Sequence, residues 1–263
     1  MEQINKVVFI ADVHLCENGK TIKGVSPASR LSKAVNHIIE NHPDCDHVIF
    51  TGDLTGSGKI SEYTLLRTII KPIEKLTTLL LGNHDNRGNF CSVFPDYEVD
   101  NNGFIQSCVE VQNQVFICLD TLDSSCNTLI ENSGFLCCQR LNWFREQLKK
   151  HQDKKIAICL HHPPFEVGFK KMDSINLRNK HQLFEIIKQF PNINHIFAGH
   201  IHRTIFGIFQ AIPFSIFKSV SFQMPMMFDN RSSNTNFSNI PAYGLLLITN
   251  KSFIIHTEEY VIT

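Results

Sequence analysis

The sequence predicts an α/β fold in which buried β-strands end at polar segments that carry the chemistry. Five short runs, rich in apolar, β-branched and aromatic residues, have the length of a buried strand. They are Val7–Ile10, Val48–Phe50, Thr78–Leu81, Ile156–Leu160 and Ile196–Ala198. Asp, Asn or His follows each run within three residues. Because open α/β folds bind ligands at the carboxyl ends of their strands, we expect these polar residues to converge at one sheet edge.

The first part of the chain has the order of two βαβ units. Ser26 is a favourable capping residue followed by proline, which predicts a helix from Pro27 to about Asn41. Apolar residues at helical spacing predict a second helix over Ser61–Ile70, which Pro72 should end. A helical crossover joins parallel strands, so the flanking runs are expected to pair in parallel.

The rest of the chain alternates hairpins with helices. Ile105–Val111 and Val115–Leu119 are separated by a three-residue turn and predict a hairpin. Amphipathic spacing predicts helices over Arg140–Lys150 and Lys180–Phe190. Only strands are expected after residue 202, ending in a hairpin across Thr249–Ser252. A chain of 263 residues has the size of one large domain, so we expect a single domain over residues 1–263.

Three stretches outside these elements bear on the site. Asp120–Gly134 and Phe165–Asn179 lack periodicity and leave the ends of predicted strands, so they are candidate lid loops. The Phe- and Met-rich stretch Phe206–Phe228 could be a substrate wall or a dimer surface. Core strands explain it better, because the alternation in Ile212–Val220 is typical of a half-buried sheet.

Composition narrows the function classes. The net charge is zero and the basic residues are scattered, which argues against nucleic-acid and anionic-membrane partners. Nine cysteines, an odd number without CxxC spacing, favour a reducing compartment. The first apolar run is too short for a signal peptide, and the uncharged stretch Thr204–Phe217 is interrupted by Pro213 and too short for a membrane helix. We therefore expect a cytoplasmic protein, with a homodimer left open.

The five polar segments together predict a two-metal hydrolytic site. They are Asp12-Val13-His14, Gly52-Asp53, Gly82-Asn83-His84-Asp85, His161-His162-Pro163-Pro164 and Gly199-His200-Ile201-His202. Imidazole and carboxylate ligands suit Fe, Mn, Zn or Co better than Mg or Ca. Two ions roughly 3.5–4 Å apart need an anionic bridge between them. Asp53, alone after a glycine, is well suited to that position.

In their order and gaps, these segments resemble the calcineurin-like metallophosphoesterase superfamily, whose pattern is D-x-H, G-D, G-N-H-[DE], H and G-H-x-H. Further stretches resemble its class III cyclic-nucleotide and glycerophosphodiester phosphodiesterases. These stretches are Arg30-Leu31, Ala34-Val35, His37-Ile38, Gly134-Phe135, Gln139–Trp143, His161–Pro164, Met172-Asp173, Leu177 and Asn179. The loop 123–132 lacks the proline–glycine usual there. The resemblance implies a four-layer αββα sandwich of two mixed β-sheets flanked by helices.

The resemblance also implies roles for individual residues. One metal ion would be held by Asp12, His14, Asp53 and His202, and a second by Asp53, Asn83, His161 and His200. The neutral Asn83 would make the second position less anionic and weaker. His84 would protonate the leaving alkoxide or stabilise the phosphoryl oxygens, and Asp85 would orient its ring. His162 and Arg203 adjoin ligands and are candidates only for supporting contacts to the phosphate.

The leading hypothesis is therefore a dinuclear-metal phosphodiesterase in which a hydroxide held between the ions attacks a small phosphodiester. The substrate would be a 3′,5′-cyclic nucleotide such as cyclic AMP, or a glycerophosphodiester. The alternatives are a phosphomonoesterase, a nucleotide-pyrophosphate hydrolase and a non-catalytic binding scaffold. The scaffold is disfavoured because the sequence lacks none of the ligands.

Two smaller expectations complete the sequence-based picture. An apolar lid surface made by Phe165, Val167, Phe169 and Met172 would favour diesters over monoesters, because a monoester carries an extra charge. Seven histidines outside the motifs are expected to be solvated or hydrogen-bonded rather than ligands. They are His37, His42, His47, His151, His181, His195 and His256.

Overall fold

The five apolar runs all contribute to β-strands, and these strands divide between two sheets. The computed structural model describes residues 4–124, 130–226, 228 and 240–261. In chain order, the strands are β1 (Asn5–Ile10), β2 (His47–Phe50), β3 (Thr77–Leu79), β4 (Ser107–Val111), β5 (Gln114–Leu119), β6 (Lys155–Leu160), β7 (Ile193–Ala198), β8 (Ile205–Phe209), β9 (Ile212–Ile216), β10 (Ala242–Ile248) and β11 (Phe253–Glu259). The α-helices are α1 (Pro27–Asn41), α2 (Ile60–Ile70), α3 (Arg87–Val93), α4 (Cys138–Lys150), α5 (Lys170–Asp173) and α6 (Lys180–Ile187).

Both sheets are mixed, with parallel strands in their centres. The first sheet has the strand order β11-β10-β1-β2-β3, in which β1, β2 and β3 pair in parallel. The second has the order β4-β5-β6-β7-β9-β8, in which β5, β6, β7 and β9 pair in parallel. Antiparallel strands complete both sheets. The carboxyl ends of β1, β2 and β3, and those of β6 and β7, carry the polar segments.

Three apolar layers hold four layers of secondary structure together. The side chains of α1 and α2 pack on the outer face of the first sheet, and those of α4 and α6 pack on the outer face of the second. The third layer lies between the sheets, where Phe9 stacks on Phe197 with ring centroids 4.1 Å apart and on Phe217 at 5.3 Å. The predicted αββα sandwich of two mixed sheets is thereby confirmed.

The elements differ from the sequence-based bounds mostly at their ends. Pro72 does not terminate helical structure outright, because it lies in the first turn of a 3₁₀ helix over Lys71–Leu76 that continues from α2. The last predicted helix ends at Ile187 rather than Phe190. The short helix α3 was not predicted, since its seven residues span too few turns to show a periodic pattern.

None of the described helices combines the length and the apolar character that a membrane crossing requires. The eight cysteines outside residues 125–129 are free thiols.

Candidate metal centre

The five polar segments meet at the edge where both sheets end. Within the first sheet, the His14 backbone N–H donates to the Asp53 carbonyl at 2.8 Å. Other hydrogen bonds cross between the sheets. The His200 backbone N–H donates to Asp12 Oδ1 at 2.8 Å, and His161 Nδ1 donates to the Thr51 carbonyl at 2.8 Å. Ligand candidates from both sheets are therefore fixed against one another before any ion binds.

Five of the seven ligand candidates have a left-handed backbone conformation, which residues other than glycine rarely adopt. They are Asp12 (φ 50°), His14 (46°), Asp53 (48°), His200 (74°) and His202 (54°). Such a conformation costs on the order of 1–3 kcal/mol per residue and persists only where the surrounding structure enforces it. The backbone is therefore strained at the strand ends that supply the ligands.

Gly82 allows the closest approach between two of these segments. A Cβ atom at this position would lie 2.2 Å from Asp53 Oδ1 and 2.7 Å from His161 Nε2. Both distances are shorter than van der Waals contact, so any side chain here would clash. The glycine of the G-N-H-D segment is thus required by the space that the Asp53 carboxylate and the His161 ring fill.

One group of side chains, which we call the first half of the centre, consists of Asp12, His14, Asp53 and His202. One potential ligand atom from each of them lies within 4.8 Å of the others. His14 Nε2 lies 2.9 Å from His202 Nε2 and 3.3 Å from Asp53 Oδ2. His202 Nε2 lies 3.7 Å from Asp12 Oδ1.

The second half, formed by Asp53, Asn83, His161 and His200, lies directly beside it. His161 Nε2 is 3.3 Å from Asn83 Oδ1 and 3.4 Å from Asp53 Oδ1. The rings of His161 and His200 are 5.1 Å apart. Asp53 thus directs Oδ2 to the first half and Oδ1 to the second, the arrangement that a bridging carboxylate needs.

Burial and charge set the protonation of these side chains, and His161 is the one whose ring holds a proton that a cation must displace. Burial lowers the pKa of His14 and His200 well below the usual value, so both rings are neutral at pH 7. Burial would raise the pKa of Asp53, but the rings of His161 and His14 outweigh it and hold the pKa well below its usual range. Burial would lower the pKa of His161, but the Asp53 charge outweighs it and raises the pKa to about 9.

Unsatisfied polar atoms also mark the site. Asp12 Oδ2 and His200 Nε2 are buried, and no hydrogen-bond partner for them is found in the described part of the chain. A buried polar atom without a partner is costly unless a ligand satisfies it. Together with neutral imidazoles and carboxylates at ligand spacing, these atoms fit metal ions.

The ligand rings are oriented through their other nitrogen. His202 Nδ1 donates to the Phe222 carbonyl at 2.9 Å, and His161 Nδ1 donates to the Thr51 carbonyl. These bonds place a proton on Nδ1 and direct Nε2 towards the site. In His161, a metal ion must displace the second proton from Nε2.

His84 lies at the open side of the first half. Its ring centroid is 4.7 Å from that of His14, its backbone N–H donates to Asp53 Oδ1 at 2.9 Å, and its side chain is exposed. The expectation that Asp85 orients this ring is wrong, because Nδ1 of His84 instead contacts the Gly56 carbonyl at 3.1 Å.

Asp85 supports the backbone around the centre instead. Its carboxylate accepts hydrogen bonds from Leu54, Thr55, Tyr63 and Gly82, including three backbone N–H groups. Burial raises the pKa of Asp85 to about 6. The residue therefore ties the Asp53 segment to the G-N-H-D segment rather than acting on the His84 ring.

A cavity of about 340 Å³ opens next to both halves. Asn132 from one candidate lid loop and Met172 and Ile175 from the other line it, as predicted for loops over the site. The predicted apolar lid is only partly correct. Phe165 and Phe169 are buried in the core beside the second sheet, where Phe165 packs on Phe214 at a centroid distance of 3.9 Å.

The rest of the apolar wall comes from the stretch interpreted above as core strands. Phe222 and Met224 line the cavity together with Ile22. The Phe222 ring lies 4.4 Å from that of His202 and 5.2 Å from that of His14. The interpretation of the whole stretch Phe206–Phe228 as core was therefore wrong for its last part, because the chain leaves the sheet after β9 and returns across the site.

Neither candidate for a supporting phosphate contact lines this cavity. His162 is fully buried between the rings of His161 and His200, and its Nδ1 contacts Thr121 Oγ1 at 2.8 Å. Arg203 contributes instead to an adjoining cavity, near the Met224 carbonyl.

Several of the other histidines have structural partners, as expected. His37 contacts Tyr243, His47 contacts Thr78 and His195 contacts Ser215, each through a side-chain hydroxyl at 2.8–2.9 Å.

Comparisons with known proteins identify the family of this chain. A probable cyclic nucleotide phosphodiesterase of Rhodopseudomonas palustris is 36% identical over 220 residues, covering 83% of this chain and 79% of the relative. A probable glycerophosphodiester phosphodiesterase of Arcobacter nitrofigilis is 32% identical over 75% of this chain and 71% of its own length. A cyclic AMP phosphodiesterase of Pseudomonas aeruginosa is 27% identical over 75% of this chain and 69% of its own length.

Solved structures show the same fold at low sequence identity. A dimetal phosphatase from Danio rerio superposes with a TM-score of 0.67 at 13% identity, covering 98% of this chain and 99% of its own. The yellow lupin purple acid phosphatase has a TM-score of 0.66 at 15% identity, covering 98% of this chain and 52% of its own. The sequence profile of the calcineurin-like phosphoesterases matches residues 5–204. The chain therefore belongs to the calcineurin-like phosphoesterase family.

Proposed function

We propose that this protein is a dinuclear-metal phosphodiesterase that hydrolyses small phosphodiesters, either a 3′,5′-cyclic nucleotide such as cyclic AMP or a glycerophosphodiester. The observation that carries the proposal is the Asp53 carboxylate, whose two oxygens face different groups of ligand candidates at 3.3 and 3.4 Å. Three similar relatives, two probable phosphodiesterases of cyclic nucleotides or glycerophosphodiesters and a cyclic AMP phosphodiesterase, support the substrate class.

One ion would be held by Asp12, His14, Asp53 and His202. The other would be held by Asp53, Asn83, His161 and His200. Mixed imidazole and carboxylate donors favour Fe, Mn, Zn or Co. When bound, two such ions supply positive charge for the phosphoryl oxygens and a nucleophilic water at neutral pH.

His84 is the proposed catalytic residue of the chain itself. It is exposed, it lines the cavity, and its contact with the Gly56 carbonyl leaves Nε2 for the substrate. From this place it can donate a proton to the leaving alkoxide, or stabilise charge on the phosphoryl oxygens. Asp85 would act as a positioning residue through the backbone bonds it makes.

The cavity also supports a preference for diesters. Its walls beyond the ligands are largely apolar, through Ile22, Met172, Ile175, Phe222 and Met224, and can contact a second organic substituent. We expect kcat/KM for a diester to exceed that of the matching monoester by at least about tenfold.

The free thiols of the described cysteines support a reducing compartment such as the cytoplasm for this activity.

The test is a set of initial rates with the metal-loaded protein on cyclic AMP, glycerophosphoethanolamine, an aryl phosphodiester and the matching aryl phosphomonoester. Each rate is compared with that of the Asp53→Asn variant, which controls for contaminating activity. We expect hydrolysis of the aryl diester and of at least one natural diester. A faster rate on the monoester would favour a phosphatase instead, and no turnover of any ester would leave a binding scaffold.

A further inference from the structure

Two lysines lie at the mouth of the cavity and take no part in the proposed chemistry. Lys171, on α5, lines the cavity directly. Lys23 Nζ lies 4.3 Å from the centroid of Phe222 and 3.8 Å from Met224 Sδ, and both of these residues line the cavity. Two separate segments of the chain therefore bring positive charge to the same opening.

The backbone holds Lys23 in a left-handed conformation that Asn, Asp or Gly adopts more readily. Ile22 and Val25 exchange two backbone hydrogen bonds of 2.9 and 3.0 Å, and the two residues between them have positive φ, 50° at Lys23 and 79° at Gly24. This is the pattern of a type I′ turn, in which the first central position favours Asn, Asp or Gly. A strained lysine next to a site is a pointer to function.

The charge at the mouth is not neutralised by the protein. Within the described ranges, neither Lys23 nor Lys171 has an ion pair, whereas the neighbouring Lys20 pairs with Glu17. The one carboxylate among the residues that line the cavity is Asp53, which belongs to the metal centre. Burial and the charge of Lys171 lower the pKa of Lys23, so the two ammonium groups act on each other.

The position of Lys23 separates its role from that of the metal centre. The Phe222 ring contacts the Lys23 ammonium at 4.3 Å, and its centroid lies 4.4 Å from that of His202 and 5.2 Å from that of His14. Lys23 itself does not line the cavity beside the ligand candidates, so its ammonium is suited to a group farther out on the substrate than the scissile phosphate. A monoester, whose extra charge is on the phosphate itself, would gain nothing from it.

We infer that Lys23 and Lys171 together bind a second anionic group, a carboxylate or a phosphate, on an alcohol substituent of the phosphodiester substrate. The inference rests on the proposed phosphodiesterase activity and deepens it. Within the proposed substrate class, it favours diesters that carry a further negative charge a short distance from the scissile bond over cyclic AMP and glycerophosphoethanolamine, whose alcohol substituents carry none.

The test compares two chromogenic diesters with the same leaving group, 4-nitrophenyl 2-carboxyethyl phosphate and 4-nitrophenyl propyl phosphate. They differ only in a carboxylate that replaces a methyl group. With two exposed charge pairs, we expect kcat/KM to favour the carboxylate ester by about tenfold. The preference should shrink as ionic strength rises, because exposed pairs are screened.

The variant is the double substitution Lys23→Asn with Lys171→Gln. Asn at position 23 removes the charge and also reduces the backbone strain of the turn. The variant should therefore fold with an unchanged or higher Tm. The ratio of its kcat/KM for the carboxylate ester to that for the propyl ester should fall to about one or below. Its rate on the propyl ester should stay within about twofold of the wild-type rate. Lys170→Gln is the matched control, since Lys170 is exposed on the same helix but does not line the cavity, and it should keep the full preference.

The outcomes separate the two claims. The inference is overturned if the wild-type ratio of kcat/KM for the two esters is near one, if the ratio survives the double substitution, or if it is lost in the Lys170→Gln control. In each of these cases, hydrolysis of both esters still supports the proposed function. Hydrolysis of neither ester would overturn both.

Discussion

The two halves of the metal centre share Asp53 but differ in charge. The first half adds the Asp12 carboxylate to two imidazoles, whereas the second adds the neutral amide of Asn83. The first half also has a neutral ring in His14, while in the second half the Asp53 charge keeps a proton on His161 at pH 7. Fewer anionic ligands and a competing proton both weaken cation binding. We therefore expect the first half to fill first and the activity to follow occupancy of the second.

Removing the shared residue should have the largest effect. Asp53→Asn takes the bridging charge from both halves, and each ion contributes several kcal/mol to the transition state, so kcat should fall by about 10⁴-fold or more. Metal analysis after dialysis should find one ion or none per chain. Retention of two ions with near-normal activity would show that Asp53 is not the bridge.

His84 contacts the first half but should not behave as one of its ligands. His84→Ala should lower kcat by roughly 10²–10⁴-fold, the usual contribution of a positioned acid or base, while two ions stay bound. The loss should be smaller for an aryl ester, whose leaving group needs little protonation. An equal loss on alkyl and aryl esters would indicate phosphate binding instead, and loss of an ion would make His84 a ligand.

The proton on His161 gives the second half a pH dependence that His14 does not give the first half. Below the His161 pKa of about 9, metal must displace that proton, so the apparent affinity should rise by up to tenfold per pH unit between pH 7 and 9, about 100-fold in all. His14 is already neutral over this range. Calorimetry in buffers of different ionisation enthalpy should show about one proton released at pH 7 and far less above pH 9.5. Equal proton release at both values would contradict the assignment.

Changing the charge of the second half directly should have the smallest effect. Asn83→Asp adds a carboxylate next to His161 and should tighten the weaker ion by about tenfold, because affinity follows ligand charge. Asn83→Ala removes the oxygen and should loosen it. Titration of the activity with a chelator measures the affinity of each variant for the second ion. If both substitutions changed this affinity in the same direction, Asn83 would not be a ligand.

The sequence located the ligand candidates because each motif is local and follows a strand directly. Chain spacing places Asp12 with His14 and His200 with His202, and the parallel strands then bring the segments together. The hydrogen bonds that support the residues around the ligands are not local in sequence. Gly56 replaces Asp85 as the partner of His84, because the Asp85 carboxylate is already used by four residues of neighbouring segments.

The cavity walls were harder to predict for the same reason. Lys23 and Phe222 are far apart in the sequence and meet only because the chain after β9 returns over the site. An apolar side chain such as Phe165 gives no signal of whether it faces the core or a cavity, since both environments accept it. Part of the first lid loop, residues 125–129, lies outside the described residues.

The hydrogen bonds that cross between the sheets at the metal centre bear on how the protein opens. The described sheets share no strand, yet Asp12 of the first accepts the backbone N–H of His200 in the second, and Ser219 donates to the Asp12 carbonyl. Ions held by both sets of loops would add to these links, since a ligand that binds only the native arrangement stabilises it. Local opening at either set of strand ends would then require release of the same ions. Hydrogen exchange at the ends of β1 and β7 should therefore slow together when metal binds, as for a single cooperative unit.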